Sequence, residues 1–213
     1  IAQNMKAINM KDFEGLTCYI GVDLGSVSDF TSMTVMIPKD DVYFFHTLTF
    51  IPRETLDTHP DKELYQQFVR EGSMIITPGN VTDYDYILNE IRLINEVMGI
   101  EGIYYDKYNA TQWAIKATEM GYNMQPYSQS IGNFNAPTKE FERLIREGKT
   151  VINRSSNVLW QIGNVEMKMD WNGNCKPSKG SYGKKIDSVI SMITALGGYL
   201  QNPIANDFDI YIL

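Results

Sequence analysis

The sequence predicts an α/β fold: a mixed sheet, built from an antiparallel three-strand meander and parallel strands, with helices on both faces. Three β-rich runs come first, and the short links between them favour antiparallel neighbours. Strands then alternate with amphipathic helices, so the later strands are expected to join the sheet in parallel and to be covered on both faces. The 213 residues, 43% of them hydrophobic and 21% charged, suffice for one domain with its own core.

The order of elements follows from these patterns. The β-rich runs of the meander cover residues 17–24, 31–37 and 42–50. Apolar residues that return every three or four positions predict helices over residues 61–72, 82–99, 109–122, 136–149, 155–170 and 184–200. Short apolar or β-branched runs predict strands over residues 73–77, 102–106, 123–129 and 150–153. The lysine-rich stretch 170–185 is predicted to be a loop.

Composition and charge disfavour several classes of function. The formal net charge of −7 and the pI of about 4.9 argue against tight nucleic-acid binding by this domain alone. No apolar run approaches the length of a membrane span, and the first residues do not resemble a secretory signal. Cys18 and Cys175 have neither disulfide nor zinc-site spacing, which fits a reducing cytoplasm. His46 and His59 are the only histidines, which disfavours a histidine metal pair and a Ser–His–Asp triad.

The domain organisation is expected to be simple. We expect residues 1–16 to be a linker or the end of a preceding domain, residues 17–201 to be the folded domain, and residues 202–213 to be a C-terminal tail. The first segment mixes polar and charged residues, and the first residue is Ile. These features indicate a fragment of a longer polypeptide.

Three aspartates fall where the predicted topology converges. Asp23 lies near the end of the first strand, Asp106 ends the strand "IYYD", and Asp187 lies in the first turn of the last helix. Ligands gather at the carboxyl ends of strands in such a sheet, and a parallel pair would bring Asp23 and Asp106 to one edge. Three nearby carboxylates stay ionised only beside a positive partner, which Mg²⁺ or Mn²⁺ would supply. Two such ions can activate a water and stabilise the leaving oxygen of a phosphodiester.

Each of these residues also has a purely structural interpretation. An Asp in a turn commonly forms an Asx-turn, and an Asp in a first helical turn favours the helix dipole. Asp29 either approaches the site as a further metal ligand or simply starts a strand. Lys184 and Lys185 either contact phosphate or lie on a solvated face. The joint placement of three acids at one edge favours the functional interpretation.

Three segments together resemble a known family: "GVDLGSVSDFTSMTVMI", "IYYDKYNATQWA" and "KKIDSVISMITALGGY". They look like the C-terminal nuclease domain of tailed-phage large terminase subunits, which has the ribonuclease H-like fold. The likeness covers most of the chain and rests on the order and spacing of the motifs. The family's acids on the first strand, the fourth strand and the final helix match Asp23, Asp106 and Asp187, and a further acid matches Asp29. The resemblance implies a DNA endonuclease that uses two divalent cations, Mg²⁺ or Mn²⁺, to cut concatemeric viral DNA during genome packaging.

The resemblance also implies partners and a location. The substrate would be double-stranded DNA, contacted by lysines near the acids and in the lysine-rich stretch: Lys107, Lys176, Lys179, Lys184 and Lys185. The full-length chain would carry an N-terminal packaging ATPase domain and work with a small terminase subunit and a portal in the cytoplasm of the infected bacterial host. This chain holds no GxxxxGK[ST] motif, so it could not bind ATP through that loop.

Three other interpretations remain open. The first is another ribonuclease H-like nuclease, such as a resolvase. The second is an actin-like or sugar-kinase ATP-binding domain, whose opening strand and glycine turn are similar to "GVDLGSVS"; that class needs two domains and leaves Asp106 and Asp187 together unexplained. The third is a non-catalytic module that docks DNA or a partner. ATP binding would identify the second, and absence of Mn²⁺ binding would favour the third.

Overall fold

The structure is a computed structural model that describes residues 1–25, 30–107, 110–181 and 183–204. Ten strands lie within these residues: β1 (Met5–Lys6), β2 (Thr17–Asp23), β3 (Thr31–Lys39), β4 (Val42–Pro52), β5 (Ile75–Thr77), β6 (Gly99–Tyr105), β7 (Met124–Pro126), β8 (Thr150–Asn153), β9 (Val165–Met169) and β10 (Cys175–Lys179).

The same residues form seven α-helices: α1 (Arg53–Thr58), α2 (Lys62–Arg70), α3 (Tyr84–Asn95), α4 (Thr111–Glu119), α5 (Ile131–Arg146), α6 (Ser156–Gly163) and α7 (Asp187–Gln201). Two short 3₁₀ helices, Ala2–Asn4 and Met10–Phe13, precede the first long strand. None of the described helices combines the length and apolar character needed to cross a bilayer.

Eight strands form one mixed sheet in the order β1-β8-β4-β3-β2-β6-β7, with β5 beside β4. Strands β2, β3 and β4 pair antiparallel, which confirms the predicted meander. Strand β6 joins β2 in parallel, and β7 joins β6 in the same direction. The predicted mixed sheet is therefore confirmed, with β2 at its centre between an antiparallel and a parallel neighbour.

Alternating side chains of the sheet build a core on each face. Ile20 and Val35 lie on one face, against apolar side chains of α3 and α4 such as Ile87 and Trp113. The opposite face carries Tyr19, Met36, Phe45 and Tyr104, which pack with residues of α5 and α7. This arrangement confirms the predicted helices on both faces, and it puts α7 on the face to which Tyr19 points.

Residues 1–16, for which we expected a linker or the end of a preceding domain, pack onto the sheet. Met5 and Lys6 pair in parallel with Ile152 and Asn153 of β8. Phe13 and Leu16 are buried in the core beneath α3. This packing could not be predicted, because a two-residue strand has no readable periodicity.

Several predicted boundaries differ from the structure, and the start of α5 and the end of α6 differ most. Helix α5 begins at Ile131, before the expected start at residue 136, because the Ser130 hydroxyl accepts the Asn133 N–H and caps the helix. The predicted helix over residues 155–170 ends as α6 at Gly163, and the rest of it is strand β9. Strands β9 and β10 pair antiparallel, so the predicted lysine-rich loop 170–185 contains half of a hairpin.

Candidate active site

Asp23 and Asp106 lie at neighbouring strand ends. Val22 of β2 pairs in parallel register with Tyr105 of β6, and each aspartate is the next residue along its strand direction. Both residues are partly buried. Residues on one strand face alternate, so Asp23 shares the face of Tyr19, on which α7 packs. The expected meeting of these two acids at one sheet edge is therefore present in the fold.

Asp187 is the first residue of α7 and is 4% exposed. The position of Asp187 along the strand direction follows from one row of paired residues in the sheet. Ser32 of β3 pairs with Asp23 on one side and with Thr49 on the other. The hydroxyl of Ser188 lies 3.2 Å from the Thr49 hydroxyl. The N-terminus of α7 is thus level with the row that contains Asp23, and all three acids lie toward the same edge.

Helix α7 crosses the sheet obliquely. It lies over β4 at Ser188, over β3 at Ser191, over β2 at Gly21 and over β6 where Gly198 contacts the Tyr104 ring. Ser188 therefore stands about 10 Å from β2, two strand spacings to the side. This lateral offset separates the start of α7 from the strands that carry the other two acids.

Helix α6 holds the N-terminus of α7. No side chain of the residue before α7 caps it, and instead the Ser188 N–H donates to the Gln161 carbonyl oxygen Oε1 at 2.9 Å. The Gln161 amide in turn donates to Asn157 at 3.1 Å, and all three residues are buried. Asn164 adds a bond to the Lys185 carbonyl at 3.0 Å. These contacts fix the position of the start of α7, and therefore of Asp187, relative to the edge of the sheet.

The turn after Asp23 is held by side chains from the sheet and from α3. The Gly25 N–H donates to the Thr31 hydroxyl at 3.1 Å, and the Tyr84 hydroxyl donates to the Gly25 carbonyl at 3.4 Å. Burial raises the pKa of Tyr84, so its hydroxyl stays protonated as a donor at neutral pH. Asp29, the proposed further ligand, lies outside the described residues.

The donor set fits a hard divalent cation by its chemistry, because carboxylate oxygens are the ligands that Mg²⁺ and Mn²⁺ favour. The three acids come to one edge, yet within the described ranges no group of three His, Cys, Asp or Glu side chains is arranged to hold a metal ion. The oblique path of α7 accounts for this separation.

Gln129 is a site residue that the sequence did not reveal. Its amide nitrogen donates to Asp23 Oδ1 at 2.9 Å, from the loop between β7 and α5. Its backbone carbonyl accepts the Lys176 ammonium of β10 at 2.8 Å. A lone Gln in a polar loop has no periodicity or motif that would single it out, and its contact with Asp23 spans 106 positions of sequence.

The predicted DNA-contacting lysines occupy different environments. Lys107, Lys179 and Lys184 are exposed. Lys176 is partly buried and bonds Gln129 as described. Lys185 is 7% exposed, and its ammonium lies 5.5 Å from the centre of the Phe30 ring, so it is neither a solvated-face residue nor open to a DNA backbone.

The chain matches the family model described as "Terminase large subunit, endonuclease domain" over residues 3–202. It is 27% identical over 205 residues to Protein YmfN of Escherichia coli (strain K12), a match that covers 90% of the chain and 45% of that protein. The chain therefore spans less than half the length of this curated relative.

Solved structures share the fold. The large terminase of bacteriophage HK97 superposes with a TM-score of 0.80 at 22% identity, covering 92% of the chain and 41% of that protein. The large terminase nuclease of thermophilic phage G20c, solved with bound magnesium, superposes with a TM-score of 0.54 at 14% identity, covering 88% of the chain and 94% of that protein. These likenesses confirm the expected ribonuclease H-like mixed sheet.

Proposed function

Because the chain belongs to the endonuclease-domain family of terminase large subunits, we propose that it is a metal-dependent DNA endonuclease that cuts concatemeric viral DNA during genome packaging. The observation that supports the proposal is the position of Asp23 and Asp106 at neighbouring strand ends, with Asp187 in the first turn of α7 toward the same edge of the sheet. The G20c nuclease, which shares the fold, has been solved with magnesium bound. The family match also favours a nuclease over an actin-like ATP-binding domain.

The three acids would together hold two divalent cations, Mg²⁺ or Mn²⁺. Asp23, at the end of the central strand, would be a ligand of both, and Asp106 and Asp187 would each help to hold one. Such cations would supply activation of a water for in-line attack on a phosphodiester and stabilisation of the departing 3′ oxygen. The partial burial of Asp23 and Asp106 limits competing solvent contacts and strengthens the attraction of their carboxylates for a cation.

The DNA backbone is proposed to lie along the exposed lysines near the acids: Lys107, Lys179 and Lys184. Lysine contacts to phosphate position a duplex without reading its bases, so little sequence preference is expected. The overall charge of −7 gives the isolated domain weak affinity for DNA. An N-terminal packaging ATPase domain, a small terminase subunit and the portal would then hold the substrate, in the cytoplasm of the infected bacterium.

Plasmid cleavage by the purified chain tests this function. Supercoiled plasmid is incubated with Mn²⁺, with Mg²⁺ or with EDTA, beside Asp23→Asn. We expect cutting that requires the metal and is lost in the variant. Asp12→Asn is the matched control, because Asp12 is exposed and precedes the opposite end of β2; it should cut like wild type.

Two results would contradict the proposal. Cleavage by Asp23→Asn at the wild-type rate would remove the acid from the mechanism. Absence of cleavage together with absence of Mn²⁺ binding by the wild-type chain would favour a module that only docks DNA or a partner.

A further inference from the structure

The Asp23 carboxylate is held by a side chain outside the three acids. Gln129 places its amide group 2.9 Å from Asp23 Oδ1. An ionised carboxylate only accepts hydrogen bonds, so the atom facing it is the amide nitrogen and not the amide oxygen. One oxygen of Asp23 therefore has a fixed neighbour, which restricts rotation of the carboxylate about its Cβ–Cγ bond.

The loop that carries Gln129 is short and fastened at both ends. The Tyr127 N–H donates to the Tyr105 carbonyl of β6 at 2.7 Å, next to Asp106. At the other end, Ser130 caps α5 through the Asn133 N–H. Gln129 thus stands on backbone that is tied to the sheet edge and to a helix start, which gives its side chain a defined position.

A third contact that holds the Gln129 loop comes from the hairpin of β9 and β10. The Lys176 ammonium donates to the Gln129 carbonyl at 2.8 Å. The hairpin strand that carries Lys176 is itself anchored, since the adjacent Cys175 N–H donates to Asn135 of α5 at 3.1 Å. Charge-assisted bonds to a carbonyl are stronger than neutral ones. A continuous series of contacts therefore runs from β10 through Gln129 to Asp23.

We propose that Gln129 is a positioning residue that orients the Asp23 carboxylate for metal binding and is held in place by Lys176. The proposal rests on the proposed function, because it assumes that Asp23 holds a divalent cation. Partners that orient a metal ligand typically change metal affinity about 10- to 100-fold when removed. Gln129 leaves lone pairs on both Asp23 oxygens for a cation, since each carboxylate oxygen accepts more than one contact.

Titration with Mn²⁺ in the absence of DNA tests the proposal, with calorimetry as the readout. Gln129→Leu keeps the approximate size of the side chain and removes its donor. We expect roughly 10-fold weaker Mn²⁺ affinity, with an unchanged melting temperature in the metal-free state. Gln125→Leu is the matched control, because Gln125 is exposed and its amide donates to Asn123 at 2.6 Å; its Mn²⁺ affinity should equal that of wild type.

Lys176→Met supplies a second variant, which keeps the aliphatic stem and removes the ammonium. It should weaken Mn²⁺ binding several-fold, less than Gln129→Leu, because it releases the loop without removing the donor to Asp23. If Gln129→Leu fails to fold, Gln129→Met is measured by the same criterion.

The outcomes separate the two proposals. Wild-type Mn²⁺ affinity in Gln129→Leu, with binding lost in Asp23→Asn, would overturn the role of Gln129 and leave the nuclease site standing. No Mn²⁺ binding by wild type would overturn the proposed function and the role of Gln129 with it. A lowered metal-free melting temperature with unchanged Mn²⁺ affinity would make Gln129 a structural residue only.

Discussion

Gly21 of β2 lies directly against Ser191 of α7, so closely that a Cβ atom at residue 21 would overlap the Ser191 carbonyl oxygen and the Ala195 backbone. The Ser191 hydroxyl completes the contact with bonds to Ser32 at 3.0 Å and Thr34 at 2.7 Å. Backbone lies against backbone here, with no side chain between strand and helix. This close approach sets the distance between α7 and the sheet. It therefore also sets how far Asp187, the first residue of α7, lies from the sheet.

Gly21→Ala should destabilise the protein strongly. The added methyl group meets main-chain atoms, which cannot turn aside as a side chain could, so we expect the free energy of unfolding to fall by about 3 kcal/mol. Urea unfolding followed by circular dichroism measures it. Gly132→Ala, in the first turn of α5 with nothing within 4 Å, is the control and should cost nothing. Equal stability of the two variants would contradict the close packing of α7.

Divalent metal should raise the thermal stability of the wild-type chain. A cation that binds only the folded state adds about 2.7 kcal/mol at a hundred times its dissociation constant, or roughly 5–10 °C in melting temperature for a chain of this size. Asp187→Asn should abolish most of this rise, whereas Asp12→Asn should retain it. Differential scanning fluorimetry with Mn²⁺ and with EDTA gives the comparison. A full metal-induced rise in Asp187→Asn would exclude that acid as a ligand.

Adjacent lysines before α7 should behave differently. Lys184 is exposed, so Lys184→Ala should weaken DNA binding and reduce the salt slope of log affinity by about 1. Lys185 is buried above Phe30, so Lys185→Met should lower the melting temperature and leave the salt slope unchanged. Fluorescence anisotropy across a salt series distinguishes the two. A reduced slope in Lys185→Met would show that this residue reaches phosphate.

His46 should make the protein less stable in mild acid. Burial lowers the pKa of His46 below its ordinary value, so the folded state binds fewer protons than the unfolded state. Stability is then complete above about pH 6.5 and declines as the pH falls from there toward the lowered pKa.

His46→Leu removes this titration and puts an apolar side chain on the face of β4 that also carries Phe44 and Leu48. Urea unfolding between pH 7.5 and 5.5 should show a smaller loss of stability in the variant. The pKa of His59 is also lowered, chiefly by burial. His59 therefore accounts for part of the pH dependence of stability that remains in His46→Leu. An identical pH profile in wild type and His46→Leu would show that His46 does not titrate in this range.

The sheet was predictable because its signals are local. Short links between β-rich runs predicted the meander of β2, β3 and β4, and the apolar stripe at Ile190 and Ile193 predicted α7 on the sheet. Strand-end topology then brought Asp23 and Asp106 together without knowledge of any side-chain position. The resemblance to a family matched Asp23, Asp106 and Asp187 to acids on the first strand, the fourth strand and the final helix. Periodicity alone does not supply such a match.

The remaining features depend on contacts between distant segments. The hairpin of β9 and β10 was missed because "NVEMKMD" also fits a helical repeat, and only pairing with residues 175–179 makes it a strand. Gln161 and Gln129 were missed because a glutamine gains its role from the group it meets in space. The oblique path of α7, which offsets Asp187 from Asp23, is likewise a property of packing and not of sequence spacing.

The contact between α7 and the meander contains a patch of hydroxyl groups from β3, β4 and α7. The Ser191 hydroxyl already lies within bonding distance of both Ser32 and Thr34. Hydroxyls can donate or accept in several directions, so the Ser191 hydroxyl keeps a partner on β3 when either Ser32 or Thr34 is lost. Apolar side chains of α7 such as Val189, Ile193 and Leu196 pack in the core around this patch and hold the helix in place. The position of α7 on the sheet is therefore specified twice, by a shared set of hydroxyls and by close apolar packing.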